Sequence, residues 1–322
     1  MTAGIDKGIQ WQTVQHSVKG TKGWTKMKKQ MISAAELLLT AFIWGVAFVA
    51  QSVGMDYIEP FTFNCVRSII GGIVLIPLIL ILHKKDRNIR TERENISYKK
   101  NTIWGGICCG FFLAAASSFQ QFGIMHTTVG KAGFITALYI VIVPLLGIFM
   151  KKKVAPVVWV SSVIAIIGFY MLSISGQVSI NKGDILVLIC AVLFSLHILI
   201  IDYFSPKGDC VAISCIQFLT SGVICGVCML LFENPQISNI LEAYIPILYA
   251  GIMSCGVAYT LQIVGQKNMD PTVASLILSL ESVFSALAGW LILGQRLSSK
   301  ELIGCTLVFT AVLFAQMPQK TE

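Results

Sequence analysis

Apolar runs of about 20 residues, ten of them in succession and joined by short polar connections, constrain this chain more than any other feature. They fall at Ile32 to Val53, Phe61 to Leu82, Ile103 to Ile124, Val129 to Met150, Val154 to Ile174, Ile185 to Phe204, Val211 to Phe232, Ala243 to Val264, Thr272 to Leu293 and Ser299 to Met317. A run of that length must satisfy its own backbone amides once it enters hydrocarbon, and none alternates in polarity as a barrel strand does. Each is therefore expected to be a helix crossing a bilayer. Composition agrees, since the 322 residues are 55% hydrophobic and only 12% charged, with a mean hydropathy of +0.77; soluble domains carry roughly a quarter charged residues. No soluble catalytic domain fits in what remains. The expected fold is an all-α integral membrane protein of ten transmembrane helices.

The first 31 residues stand apart, being polar and basic with no apolar period, and read as a cytoplasmic tail. Met27 directly before the first run resembles a natural start, which makes residues 1–26 a candidate upstream extension. The first run is too long for a signal-peptide apolar region and lacks a small-x-small cleavage pattern, so it is kept as a span. Counted on alternate sides, Lys and Arg total nineteen in the tail, the Lys84 to Lys100 connection, Lys151 to Lys153, Lys207, Lys267 and Lys320. The other side holds only Lys131, Lys182, Arg296 and Lys300, with Arg67 inside a span. The positive-inside rule then places both termini in the cytoplasm of a multi-pass cell-membrane protein, with residues 318–322 as a short cytoplasmic end. The same placement explains the net charge of +8 without nucleic acid, because the basic connections carry interspersed acids and no ladder of stacking aromatics.

Ten spans invite a search for halves. A shift of 142 residues superimposes Leu261-Gln262-x-x-Gly265 on Phe119-Gln120-x-x-Gly123, Ala274 on Ala132, Glu281 on Tyr139 and Gly289 on Gly147. A shift of 150 places Ala191-Val-Leu-Phe194-Ser195 on Ala41-Phe-Ile-Trp44-Gly45, Cys215-Ile-Gln217 on Cys65-Val-Arg67, and Gly222 on Gly72. The expected organisation is thus two five-helix repeats, 32–174 and 175–317. Five is odd, so the second repeat enters the membrane from the opposite side, and an inverted pair of this kind suits alternating access to a site between the halves.

Trp44-Gly45 in the first span, Pro60-Phe-Thr-Phe-Asn-Cys-Val-Arg67 entering the second, Ala274 to Glu281 in the ninth and Gly294-Gln295-Arg296-Leu297 after it resemble an EamA-type transporter of the drug/metabolite transporter superfamily. The resemblance covers roughly residues 32 to 317. It implies a ten-span secondary transporter, commonly an exporter of amino acids or related small metabolites, that needs no cofactor. This chain departs from the family in having Glu281-Ser282 where Glu-Pro is frequent and Gly294-Gln295 where Gly-Glu is frequent.

Polar residues at membrane depth are the candidates for the site. Holding Glu281 near the middle of the ninth span costs on the order of 2.5 to 3.5 kcal/mol even on the lenient insertion scale. A cavity-facing carboxylate that carries a proton or meets a cationic substrate group offsets that cost, and so does an interhelical hydrogen bond; Glu281 is the proton-coupling candidate. Ser275, Ser279, Ser282 and Ser285 give the same helix a polar face. Arg67 is neutralised either by a substrate anion or by an acid such as Asp56 or Glu59. His197 is either a proton relay or a satisfied structural donor. Gln120 and Gln262 are related by the repeat and offer amide donors and acceptors, while Trp44 and Tyr139 suit a wall that stacks on an organic solute. The substrate-binding set is therefore Trp44, Arg67, Gln120, Tyr139, His197, Gln262 and Glu281. Pro144 marks an expected kink in the fourth span, and Ser68-x-x-x-Gly72, Gly106-x-x-x-Gly110 and Gly222-x-x-x-Gly226 mark close helix packing.

The ten cysteines read as small apolar residues, because Cys225-x-x-Cys228 has no second pair to complete a metal site. No Gly-x-x-x-x-Gly-Lys-Ser/Thr loop is present, which leaves a gradient or exchange as the energy source. The leading expectation is a secondary transporter, not an enzyme, moving a small organic metabolite through the lipid bilayer. The alternatives are a membrane-embedded transferase on a lipid-linked substrate, which needs a clustered set of acids the sequence lacks, and a passive channel, which needs repeated pore loops. Oligomeric state stays open, a homodimer included.

Overall fold

The computed structural model describes residues 5–85, 91–127, 129–149, 154–173, 181–294 and 298–315, and among these every regular element is helical. The chain runs α1 (Ile5–Gly54), α2 (Pro60–Lys85), α3 (Glu92–Ile124), α4 (Val129–Thr136), α5 (Tyr139–Phe149) and α6 (Pro156–Ser173). It continues as α7 (Lys182–Phe204), α8 (Cys210–Phe232), α9 (Ile237–Glu242), α10 (Tyr244–Leu248), a π-helical stretch π1 (Tyr249–Ala258) and α11 (Tyr259–Gln266). Last come α12 (Pro271–Leu278), α13 (Glu281–Leu293) and α14 (Ser299–Ala315).

Eight helical segments are long and apolar enough to cross a membrane, where ten were expected. The remaining two expected spans appear as the shorter apolar helices Pro156–Gly168 and Leu302–Phe314. The expected ends of those two spans at Ile174 and Met317, the Lys151 to Lys153 cluster and the Gln295-Arg296-Leu297 motif lie outside the described residues. Large apolar side chains cover the outer surface, among them Leu80, Ile81, Val223, Leu230 and Phe232 at 60% exposure or more, which suits a solvent of lipid tails. In the N-terminal region, which has no apolar period, α1 is continuous from Ile5. A helix already nucleated by an apolar segment extends readily through Lys, Gln and Met, whose helix propensities are high, so apolar periodicity is not required there.

Short polar signals start the helices. Asn181 and Asp184 form a reciprocal capping box on α7, and Asp209 accepts from the amides of Val211 and Ala212 to begin α8. Asp270 caps α12 with Pro271 in the first helical position. The start of α2 is capped from elsewhere in the chain: the Glu233 carboxylate, at the end of α8, accepts from the amides of Phe61 and Thr62 at 2.7 Å and from the Thr62 hydroxyl at 2.7 Å. Gly294 ends α13 in the left-handed region at φ 66°, a conformation glycine adopts without steric cost.

Packing follows a regular pairing. Helix α2 lies along α8 and α6 along α14; α1 packs on α13, π1 and α11, while α7 packs on α5, α4 and α3. Helix α3 also packs on α8, and α2 on π1. Small residues permit these approaches. A Cβ on Gly110 would meet the Gln217 carbonyl at 2.6 Å, and one on Gly45 would meet the Phe284 Cβ at 2.3 Å, so α3 and α1 touch their partners backbone to backbone at those points. The expected small-residue stripes sit at such contacts, with Gly72 against Leu219, Gly106 against Ile216 and Gly222 against Ile69.

Candidate functional site

Two of the membrane-crossing segments are interrupted. Turns at Ala137-Leu138 separate α4 from α5, and turns at Ser279-Leu280 separate α12 from α13. The two breaks are related by the same 142-residue shift that aligns the sequence, and each is followed at once by a candidate site residue, Tyr139 or Glu281. Pro144, where a kink was expected, lies inside α5, more than one turn beyond the break. In the second segment the serines act on the backbone: Ser275, Ser279, Ser282 and Ser285 each donate to the carbonyl three residues earlier, at 2.6 to 2.8 Å. Bonds of this type compete with the helical ladder and bend it.

The breaks open onto a narrow cavity in the middle of the bundle. Six of the seven expected site residues line it: Trp44, Arg67, Gln120, Tyr139, Gln262 and Glu281. The Tyr139 hydroxyl donates to Glu281 Oε1 at 3.0 Å, joining the two interrupted segments across the site. Both residues are almost completely buried. Glu281 is therefore engaged by a phenol rather than by a cation. Gln120 donates through Nε2 to the Thr136 hydroxyl at 3.2 Å, leaving its carbonyl oxygen for other partners. Gln262 Oε1, Gln51 Oε1 and Trp44 Nε1 have no hydrogen-bond partner among the described residues. Buried polar atoms in native proteins nearly always have partners, so these groups are fitted to receive water or a solute.

His197 is not part of this lining. It is fully buried beside the site, with Nε2 3.1 Å from Gln217 Oε1 and its ring 6.1 Å from that of Tyr259. Gln121, next to Gln120, also points away and donates to the Gln51 carbonyl at 3.1 Å.

Sequence reasoning missed Phe48, Gln51, Phe194, Ile198, Ser254, Tyr259 and Leu278, which complete the wall. Two of these were recoverable, because the 150-residue shift that aligns the first and sixth spans carries Trp44 onto Phe194 and Phe48 onto Ile198. Ser254 lies in π1, where a widened helical turn has no signature in the sequence. Tyr259 follows π1 directly and packs against Trp44 in a tilted arrangement, with ring centroids 4.5 Å apart and an interplanar angle of 56°. The arrangement can bind: it combines an apolar, aromatic wall with one cation, one carboxylate and several amide groups inside a membrane.

Comparison with known proteins gives this geometry its family. The model of the EamA-like transporter family matches the chain twice, over residues 31–174 and 181–317. The chain belongs to the EamA-like transporter family. An uncharacterized transporter of Archaeoglobus fulgidus is 28% identical over 294 residues, covering 90% of this chain and 87% of that protein. The uncharacterized transporters YwfM and YoaV of Bacillus subtilis are 26% and 21% identical, covering 89% and 84% of this chain and 94% and 92% of their own lengths. A crystal structure of another protein superposes with a TM-score of 0.69 at 18% identity, over 88% of this chain and 96% of that one, and shares the fold. This EamA-like transporter is accordingly a multi-pass membrane protein whose kinship lies with transporters rather than enzymes.

Proposed function

We propose that this protein is a secondary transporter that exports a small organic metabolite, such as an amino acid or a related compound, across the cytoplasmic membrane by alternating access. The observation that carries the reading is the bond between Tyr139 and Glu281: two residues 142 positions apart, each just after a break in its helix, meet in a central cavity. Interrupted helices flanking a mid-membrane cavity are the usual construction of a carrier's site, because freed backbone and polar side chains are tolerated only where they line a cavity.

The pairing of helices supports two inverted five-helix halves. Exchanging the halves turns α1 on α13 into α7 on α5, turns α1 on π1 and α11 into α7 on α3, and turns α2 on π1 into α8 on α3. It leaves α2 with α8 and α6 with α14. In this reading α6 and α14 are the fifth span of each half, and both termini lie in the cytoplasm, as the distribution of Lys and Arg favours. Glu281 serves as the proton carrier. Motion of one half against the other opens the cavity to each side in turn, and the solute, not a covalent step, is what the protein acts on.

Overexpression followed by comparison of intracellular and extracellular metabolites tests the proposal. A solute depleted inside and enriched outside is expected, and purified protein in liposomes should carry that solute. Liposomes that move none of the enriched solutes contradict the reading.

A further inference from the structure

Arg67 lies eight residues into α2, lines the cavity, and has only 5% of its surface exposed. A guanidinium remains charged at any accessible pH, and a buried charge is tolerated only when something compensates it. Nothing acidic in the described protein does so. Its carbon sits 5.5 Å from the centroid of the Phe63 ring, one helical turn earlier, a cation–π contact that orients the fork without neutralising it.

The acids that might pair with it are used elsewhere. Glu281, in the same cavity, forms no ion pair with Arg67 and accepts from the Tyr139 hydroxyl. Glu233 caps the first turn of α2. Asp184 holds Lys131 at 2.6 Å. Of the two acids that the sequence offers as structural partners, Glu59 accepts from the Asn234 amide at 3.3 Å, and both Asp56 and Glu59 are exposed at the α1–α2 turn. The second half offers no counterpart either, because the position equivalent to Arg67 is Gln217, fully buried and bonded to His197 outside the cavity lining. A cation present on one side only is not a packing device repeated by the architecture.

We infer that Arg67 is the specificity-determining residue of the cavity and receives a carboxylate of the transported solute. The inference rests on the transporter reading above and narrows it to solutes that carry a carboxylate. A guanidinium presents two parallel N–H donors that match the two oxygens of a carboxylate, a geometry that an amide or ester cannot fill. The packed rings of Trp44 and Tyr259 supply apolar surface for the rest of the solute.

The test uses the full chain purified in detergent, with the twenty proteinogenic amino acids and their carboxamides as probes and thermal stabilisation as the readout. At least one amino acid should stabilise the protein, with its carboxamide weaker by roughly tenfold or more in apparent affinity. Arg67→Gln should erase that difference and Arg67→Lys should keep part of it. The wild-type comparison of acid and amide decides the matter even if Arg67→Gln does not fold. Equal binding of acids and amides, a preference surviving in Arg67→Gln, or no binding by any acid overturns the inference. Liposomes that transport amides as well as acids sink this inference alone, whereas liposomes that transport nothing sink the transporter reading.

Discussion

Glu281 and Tyr139 form the pair on which the site turns, and their chemistry separates binding from coupling. Glu281→Gln keeps an acceptor oxygen for the Tyr139 hydroxyl at nearly the same volume but removes the group that can gain and lose a proton. Flux driven by a pH gradient in liposomes should fall by at least about tenfold, while the variant inserts and melts like the parent. Wild-type flux in that variant removes Glu281 from the mechanism. At this scale the sequence was informative where a residue type is expensive. A carboxylate, a guanidinium and paired glutamines at membrane depth stand out against an apolar background, and all of them line the cavity. It was less informative for His197, since a buried imidazole bonded to Gln217 and one facing a solute look identical in sequence. Phe194 and Ile198 are ordinary apolar residues whose only mark is their repeat relation to Trp44 and Phe48.

Helices were legible by length, but their interruptions were not. Neither Ala137-Leu138 nor Ser279-Leu280 contains Gly or Pro, and only the second break has serine hydroxyls turned onto carbonyls beside it. The π-helical stretch Tyr249–Ala258 was equally silent. Connections between elements carry their own stabilisation, seen best where α3, α4 and α7 meet. Asp184 accepts from Lys131 on α4 at 2.6 Å, from Thr127 after α3 at 2.9 Å, and from the Asn181 amide at the start of α7 at 2.9 Å. The positions that the repeat shifts make equivalent to Lys131 and Asp184 are Val273 and Ala34, which cannot form the same polar clasp. The lysine side chain is 27% exposed, and Lys131→Met should therefore cost no more than about 1 kcal/mol. Asp184→Ala removes the helix cap as well and should cost roughly 2 kcal/mol. Chemical unfolding in detergent measures both, and equal losses contradict this division of labour.

Over the whole molecule, the proposed repeat rests on Gln, Gly, Cys and Ala recurring at fixed offsets, as residues would that must fit the same contact twice. The family model matches the chain in two stretches, residues 31–174 and 181–317. Two oppositely threaded halves require the connection between them to lie across the membrane from both chain ends. Site-directed labelling reads this directly in a background from which the ten cysteines, all free, have been removed. Single cysteines at Met27, which is exposed, and appended after Glu322 should react with a membrane-impermeant thiol reagent only after the cells are opened, while Lys182→Cys should react in intact cells. Labelling of all three from the same side, or of the two ends from different sides, contradicts the inverted arrangement and with it the carrier mechanism.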